Sequence, residues 1–300
     1  MKHVLSDFDV SKTDQAEILE LSAKIKQNKM AYSDIMKGKN LMLFFELASL
    51  RTRVSFEAGF NQLGGHAIFY SIEGGKFTRD EAMEDGVKNT SRYCDFIMAR
   101  VLKQEIIERM GKASEVPVIN GMTEKYHPCQ TLADLLTIKE KKGALKGLNI
   151  TYIGDGACNT ASSTIIGGLS AGMNVTVACP ENYKYIPNPV VLEKVNGSIM
   201  IEHDPVKAVK DADVIYTDVA VSAGMEQEKE ERIRVFKPFQ VNLNLVKKAK
   251  KDAIVMHCLP AHIGYEITRD VMDSKQSVVF DQAENRMHAQ KGLLVWLLKQ

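Results

Sequence analysis

Short apolar, β-branched runs recur along the chain with helical patterns between them, and that alternation is what most limits the folds open to it. From Gly147 onward the runs are Leu148–Gly154, Asn174–Cys179, Ser198–Glu202, Val214–Thr217, Ala253–His257 and Ser277–Phe280. Leu41–Phe45, Ala67–Tyr70, Phe96–Ala99 and Val116–Ile119 repeat the pattern earlier in the chain. Strands alternating with helices predict an α/β fold built on parallel, doubly wound sheets. Two such sets in 300 residues predict two domains, each a parallel sheet flanked by helices. The stretch Thr131–Lys142 reads as one helix whose Lys-Lys-Gly ending marks the link between them, and Ala283–Leu298 reads as a final helix that composition assigns to neither domain.

Charge narrows the function. Lys and Arg number 39 against 38 Asp and Glu, so no basic field draws in nucleic acid or an anionic membrane surface. An anionic substrate therefore needs a local cluster of donors. The first ten residues have neither the apolar core of a signal peptide nor an Arg-rich amphipathic pattern, and no apolar run approaches about 18 residues, so a soluble, cytoplasmic protein is expected. Five cysteines without paired spacing read as free thiols, and the absence of C-x-x-C and H-E-x-x-H argues against a zinc site.

The most informative local sequence is a buried strand, Leu41–Phe45, that runs into Ser49-Leu50-Arg51-Thr52-Arg53 and then a helix through Val54–Leu63. Hydroxyls and guanidiniums at a helix N-terminus, with its unpaired N–H groups and positive dipole end, make a phosphate site. Arg51 adds a planar fork for two phosphate oxygens. A plain N-cap at Ser49 with solvated arginines is the alternative. A second cluster, His127-Pro128-Cys129-Gln130, opens a helix carrying Leu132, Leu135 and Leu136. His127 and Gln130 lie one helical step apart, where both can donate to one carbonyl oxygen; a capping turn with a structural histidine accounts for the same residues.

Four more clusters are expected at strand ends in the C-terminal half. Gly154-Asp155-Gly156-Ala157-Cys158-Asn159 ends a strand and precedes a helix expected near Ser162, the ligand-binding position of a Rossmann-like sheet. The dinucleotide fingerprint fails there: a third glycine is missing, and the next strand ends in Ala178-Cys179-Pro180 with no acid for a ribose. Asp218, with Ala220, Ser222, Ala223 and Gly224, follows the strand Val214–Thr217, where an acid and a polar loop suit an ammonium group or make a plain turn. His257-Cys258-Leu259-Pro260 puts a thiol at the same sheet edge, as a nucleophile or as a buried positioning group. Asp281-Gln282-Ala283-Glu284-Asn285-Arg286 is expected to end the last strand and begin the last helix.

Taken in this order, the motifs resemble those of the carbamoyltransferase family, nearest to its ornithine branch. Ser49-Leu50-Arg51-Thr52-Arg53 is similar to the family's Ser-Thr-Arg-Thr-Arg carbamoyl phosphate motif, and His127-Pro-Cys-Gln130, His257-Cys-Leu-Pro260 and Ala283-Glu-Asn-Arg286 follow where the family has theirs. The resemblance implies a carbamoyl phosphate-binding domain over 1–135 plus 284–300 and an amino-acid (ornithine) domain over 146–283. It implies that Ser49, Leu50, Arg51 and Thr52 bind the phosphate end, with Arg100 and with Lys76 from the loop that closes a neighbouring subunit's site. His127, Gln130, Cys258, Leu259 and Arg286 would surround the carbamoyl group, with Arg100, His127, Cys258 and Arg286 as the catalytic set. Asn159, Asp218, Ser222 and Ala223 would bind ornithine. The implied reaction moves the carbamoyl group to the δ-amine of L-ornithine, giving L-citrulline and phosphate, and needs no cofactor or metal. The implied assembly is a homotrimer or a multiple of trimers, with sites between subunits.

The chain departs from that pattern at several positions. Leu50 stands where a hydroxyl is usual, Ala220 and Ala223 replace a Trp and a Met in the acceptor loop, Cys158-Asn159 replaces an Asn-Asn pair, and Gly75–Glu81 differs from the usual Gln-Leu-Gly-Arg-Gly-Glu. These changes keep two other readings open: transfer to a different amine such as putrescine, and a homologue that binds ligands without turnover.

Overall fold

The computed structural model describes residues 1–72, 81–221 and 225–300, and its chain divides into two compact units, Met1–Leu136 with Glu284–Gln300, and Thr137–Ala283.

In the first unit, helix α1 (Lys12–Gln27) opens at Ser11, whose hydroxyl accepts from the Asp14 N–H while the Asp14 carboxylate accepts from the Ser11 N–H, a capping box. Its residues Ile18, Ser22 and Ile25 recur at helical spacing and are buried. There follow β1 (Asn40–Phe45), α2 (Leu50–Gln62), β2 (His66–Ser71), α3 (Met83–Ser91), β3 (Phe96–Arg100), α4 (Gln104–Ala113), β4 (Val118–Met122) and α5 (Pro128–Lys142). The four strands pair in parallel in the order β2-β1-β3-β4. Strands β1 and β3 are almost wholly apolar and buried, as a sheet covered on both faces requires. Edge strand β2 instead exposes most of its residues, Ile68, Phe69 and Tyr70 among them.

The core under β1 contains Phe56 and Phe60 of α2, Ile18 and Ile25 of α1, and Leu293, Leu294 and Trp296 near the chain's end. Helix α12 (Val279–Leu297) lies so close to α1 that a Cβ at Gly292 would come within 2.0 Å of Ser22 Oγ, so only glycine fits there.

The second unit carries β5 (Asn149–Ile153), α6 (Asn159–Ser170), β6 (Asn174–Ala178), α7 (Pro189–Lys194), β7 (Ile199–Glu202), α8 (Pro205–Ala208), β8 (Val214–Thr217), α9 (Lys229–Phe236), α10 (Leu243–Val246), β9 (Ile254–His257) and α11 (Arg269–Met272). Its sheet is again all parallel, in the order β7-β6-β5-β8-β9. Ile153, Ile215, Val241, Val255, Val271 and Val279 belong to its core. In both sheets the chain builds outward on one side and then crosses back, reversing at β1 and β3 in the first and at β5 and β8 in the second. The crevice outside the carboxyl ends of strands at such a reversal is where open α/β sheets bind ligands. Among the described residues no helix is long and apolar enough to cross a membrane.

Two local expectations change. Ser277–Phe280 is not a strand: Ser277 makes one bridge to Val255, and α12 has begun by Val279. Buried Val279, Gln282, Arg286, Ala289 and Leu293 recur every three or four residues, a helical period masked in the sequence by its polar members. The strand expected at Val116–Ile119 runs from Val118 to Met122, because Pro117 has no N–H to give a ladder.

Candidate active site

Ser49 is the N-cap of α2, so the helix begins at Leu50, a turn earlier than its apolar pattern predicts. Its Oγ accepts from the Thr52 N–H at 3.3 Å and donates to Thr52 Oγ1 at 3.1 Å. The capping role and the ligand role are compatible, since the N–H groups left over in the first turn still face outward. Thr52, fully buried, is a junction: Arg100 Nη1, from the end of β3, and Arg286 Nη2, from α12, each donate to its Oγ1 at 3.3 Å. Pairing of Phe45 with Arg100 across β1 and β3 is what brings the β3 guanidinium to the mouth of β1.

Arg286 Nη1 also donates to Gln130 Oε1 at 2.7 Å, and Gln130 Nε2 donates to Asp134 Oδ1 at 2.8 Å. Gln130, Asp134 and Arg286 are all buried. Pro128 takes the first position of α5, where its missing N–H costs nothing, and His127 precedes it. Burial, then the charges of Arg286, Arg100 and Arg51, hold the His127 imidazole well below its usual range, so it is neutral at pH 7. Three guanidiniums around one neutral imidazole at a helix N-terminus form a site for a polyanion with a carbonyl to polarise.

Motif neighbours divide sharply. Leu50 is 77% exposed and points away, whereas Arg53 pairs with Glu57 at 2.8 Å and lies over the Phe69 ring at 3.7 Å. Lys76, Ser222 and Ala223 lie outside the described residues.

In the second unit three expected residues gather at the carboxyl ends of β5, β8 and β9. Asp218 Oδ2 accepts from Thr160 Oγ1 at 2.8 Å, and that hydroxyl lies 3.2 Å from Asn159 Oδ1. Asp218 Oδ1 accepts from the Val219 N–H at 2.7 Å and from the Cys258 thiol at 2.9 Å. A thiol donating to a carboxylate keeps its proton, so the geometry favours Cys258 as a positioned donor over a thiolate nucleophile. The helix expected near Ser162 begins at Asn159, capped by Cys158 Sγ, which accepts from the Ala161 N–H. Burial pushes the Cys158 thiol far up.

Leu259 adopts φ +59°, a conformation rare for its residue type and one that clusters at ligand sites. Its N–H donates to His257 Nδ1 at 2.9 Å, which fixes the proton on Nε2, facing Glu266 Oε1 at 3.1 Å. Ligand atoms of Asp218, His257 and Cys258 all lie within 4.8 Å of one another, but both ring nitrogens of His257 are already engaged, so this donor set does not fit a cation.

Two family models match the chain: "Aspartate/ornithine carbamoyltransferase, carbamoyl-P binding domain" over residues 2–140, and the corresponding "Asp/Orn binding domain" over residues 146–297. The chain belongs to the aspartate/ornithine carbamoyltransferase family. It is 45% identical over 305 residues to the ornithine carbamoyltransferase of Rhodococcus opacus (strain B4), covering 100% of this chain and 97% of that one. It is 46% identical to the enzyme of that name from Archaeoglobus fulgidus, covering 99% and 98%. The solved structure of ornithine carbamoyltransferase from Pyrococcus furiosus superposes with a TM-score of 0.91 at 47% identity, over 98% of this chain and 96% of that one.

Within this carbamoyltransferase frame, sequence reasoning passed over Asp134, Thr160 and Arg232. Asp134 had a signal, four residues after Gln130 on the same helix face. Thr160 adjoins Asn159 but shows its value only when β8 brings Asp218 beside it. Arg232 had none, because its partners Asp155 and Ala220 are 77 and 12 residues away.

Proposed function

We propose that this protein is an enzyme that transfers the carbamoyl group of carbamoyl phosphate to the δ-amine of L-ornithine, giving L-citrulline and phosphate. The observation that carries the reading is the convergence of Arg100 and Arg286 on Thr52, beside Gln130 and a neutral His127, at the N-terminus of α2. Carbamoyl phosphate is a small dianion with an amide carbonyl, and this group of residues answers both ends. The α2 N–H groups, Ser49, Arg51, Thr52 and Arg100 bind the phosphoryl oxygens, with Leu50 contributing only its backbone. Arg286, His127 and Gln130 face the carbamoyl oxygen, the charge-assisted bond from Arg286 contributing roughly 1.5–3 kcal/mol. Cys258 and Leu259 join the carbamoyl set, and Lys76 the phosphate set, on family resemblance.

The acceptor is assigned by the second cluster. Asp218, buried and already holding two hydroxyl or thiol donors, suits the α-ammonium of an amino acid, and Asn159 suits its carboxylate. Ser222 and Ala223 are assigned to ornithine on the resemblance. Relatives more than 40% identical over nearly the whole chain and named for ornithine support that choice over putrescine.

In the reaction the neutral δ-amine attacks the carbamoyl carbon, the N–C bond forms, and the C–O bond to phosphate breaks. The proton lost by nitrogen leaves with the phosphate, whose oxygens are the nearest strong acceptors. Catalysis is then mainly alignment plus stabilisation of the oxyanion and departing phosphate by fixed donors, with alignment worth as much as about 7–11 kcal/mol. No step calls for a metal. The exposed apolar edge made by Ile68, Phe69 and Tyr70 of β2, with Leu50 and Val54 of α2, supports a homotrimeric or larger assembly. Five free cysteines support a reducing, cytoplasmic setting.

The test is phosphate release from carbamoyl phosphate with ornithine, putrescine, aspartate and acetylornithine offered separately, and Arg51→Ala as control. Turnover with ornithine alone, lost in the variant, is the expected result. Carbamoyl phosphate binding without turnover of any acceptor would overturn the ornithine assignment.

A further inference from the structure

Arg232 of α9 is 3% exposed, a costly position for a guanidinium unless its donors are used. They are used on backbone and carboxylate at two separate loops. Nε donates to the Ala220 carbonyl at 2.6 Å, and Nη2 is paired with the Asp155 carboxylate. The guanidinium carbon lies 5.3 Å from the Tyr185 ring centroid and 5.2 Å from that of Phe236, and those two rings form one buried cluster with Ala220. Asp155 in turn accepts from the Ala157 N–H at 2.9 Å, shaping the turn that follows Gly154, whose φ of +136° only glycine adopts readily.

Asp155 stands four positions before Asn159, and Ala220 two positions after Asp218. One planar fork therefore clamps the β5–α6 turn and the segment after β8, the two stretches that present the acceptor-binding residues. Resting on the assignment of the second unit to the amino acid, we propose that Arg232 is a positioning residue for the acceptor: it holds Asn159 and Asp218 at the separation that an α-carboxylate and α-ammonium require. Its small neighbour Ala220 is part of the same device, since a compact side chain lets the carbonyl approach Nε beneath Tyr185 and Phe236. Lysine cannot replace it, because a point charge cannot meet a carboxylate and a carbonyl in two directions at once.

The test compares the full-length protein with Arg232→Lys and with the double variant Arg232→Gln/Asp155→Asn, which removes both charges together and so avoids stranding a buried carboxylate. KM for ornithine, kcat, and calorimetric affinities for carbamoyl phosphate and for norvaline, which keeps the α-carboxylate and α-ammonium but lacks the δ-amine, are measured on each. The expected result is a loss of ornithine and norvaline affinity of about ten- to hundredfold in both variants, with carbamoyl phosphate affinity unchanged. An unchanged KM with kcat falling in step with the folded fraction would make Arg232 merely structural and overturn the proposal, as would a parallel loss of both substrates. Failure of the wild-type protein to turn over ornithine overturns the functional reading instead, and is seen before any variant is made.

Discussion

Arg286 and Gln130, 156 positions apart in the chain, are joined by a 2.7 Å hydrogen bond from guanidinium Nη1 to amide Oε1, and this bond fixes which way the amide faces. With the oxygen committed to Arg286, the NH2 group is turned toward Asp134. Gln130 thus presents N–H rather than C=O to its remaining neighbours, as its proposed role at the carbamoyl oxygen demands.

Removing Asp134 tests that chain of orientation. Asp134→Ala leaves a buried amide N–H without its acceptor, at a cost of about 1–3 kcal/mol, and frees the amide to turn. The expected outcome is a higher KM for carbamoyl phosphate, with Asp134→Asn recovering most of the loss because its side-chain oxygen can still accept. Steady-state kinetics with ornithine saturating would check it, and equal KM values for Ala and wild type would show that Arg286 alone orients Gln130.

Thr52→Val keeps the shape of a buried side chain and deletes the oxygen on which Arg100 and Arg286 converge. Two guanidiniums then lose a shared tether at the proposed phosphate site. Carbamoyl phosphate affinity, read by calorimetry, is expected to fall by about tenfold or more, one charge-assisted bond contributing roughly 1.5–3 kcal/mol. Norvaline affinity of the variant, compared at saturating carbamoyl phosphate, serves as the control that should not move.

The inner strands were legible as apolar runs because a parallel sheet covered on both faces leaves little room for polar residues, while edge strands β2 and β7 showed through exposed apolar residues such as Ile68, Phe69, Met200 and Ile201. The run at Ser277–Phe280 misled for the converse reason: two valines side by side look like a strand, while the helical repeat they begin continues through Gln282 and Arg286, buried polar residues that break the apolar pattern. Ser49, Arg51, Thr52, His127 and Gln130 were visible because they sit together at helix starts, as cap or first-turn residues. What local sequence withheld is everything made by crossover: Arg100 and Arg286 reaching one hydroxyl, Thr160 bridging Asn159 and Asp218, and Arg232 reaching an acid 77 residues away. Such contacts are set by strand order, which no spacing rule encodes.

The neutral His127 makes stability depend on pH. Burial and the charges of Arg286, Arg100 and Arg51 hold its folded-state pKa well below 6.5, while the unfolded imidazole takes up a proton near that value. Below that pH the unfolded state binds the extra proton, so stability falls as pH falls and recovers as pH rises. Urea unfolding at pH 7 and pH 5 should show a drop in wild type that is smaller in His127→Gln. Identical drops in the two proteins would assign the acid sensitivity to other groups, such as His288, pushed down to about 4 by its own burial.

Lys291 carries the opposite lesson, a charge kept inside the protein at a net cost. It is 1% exposed, its Nζ donates to Gln62 Oε1 at 2.9 Å, and burial, with the nearby charge of Lys29, pushes its pKa down to about 8 from 10.5. Between those two values the unfolded chain holds a proton that the folded protein has released, so stability rises with pH across that window. At pH 7 the ammonium is charged in both states and its desolvation works against folding. Lys291→Met, similar in length and without charge, is therefore expected to stabilise the protein at pH 7 by about 1–2 kcal/mol, the lost bond to Gln62 offsetting part of the gain. The advantage should shrink toward pH 10, where the wild-type amine is already neutral. A variant less stable than wild type at both pH values would mean that the bond to Gln62 outweighs the buried charge.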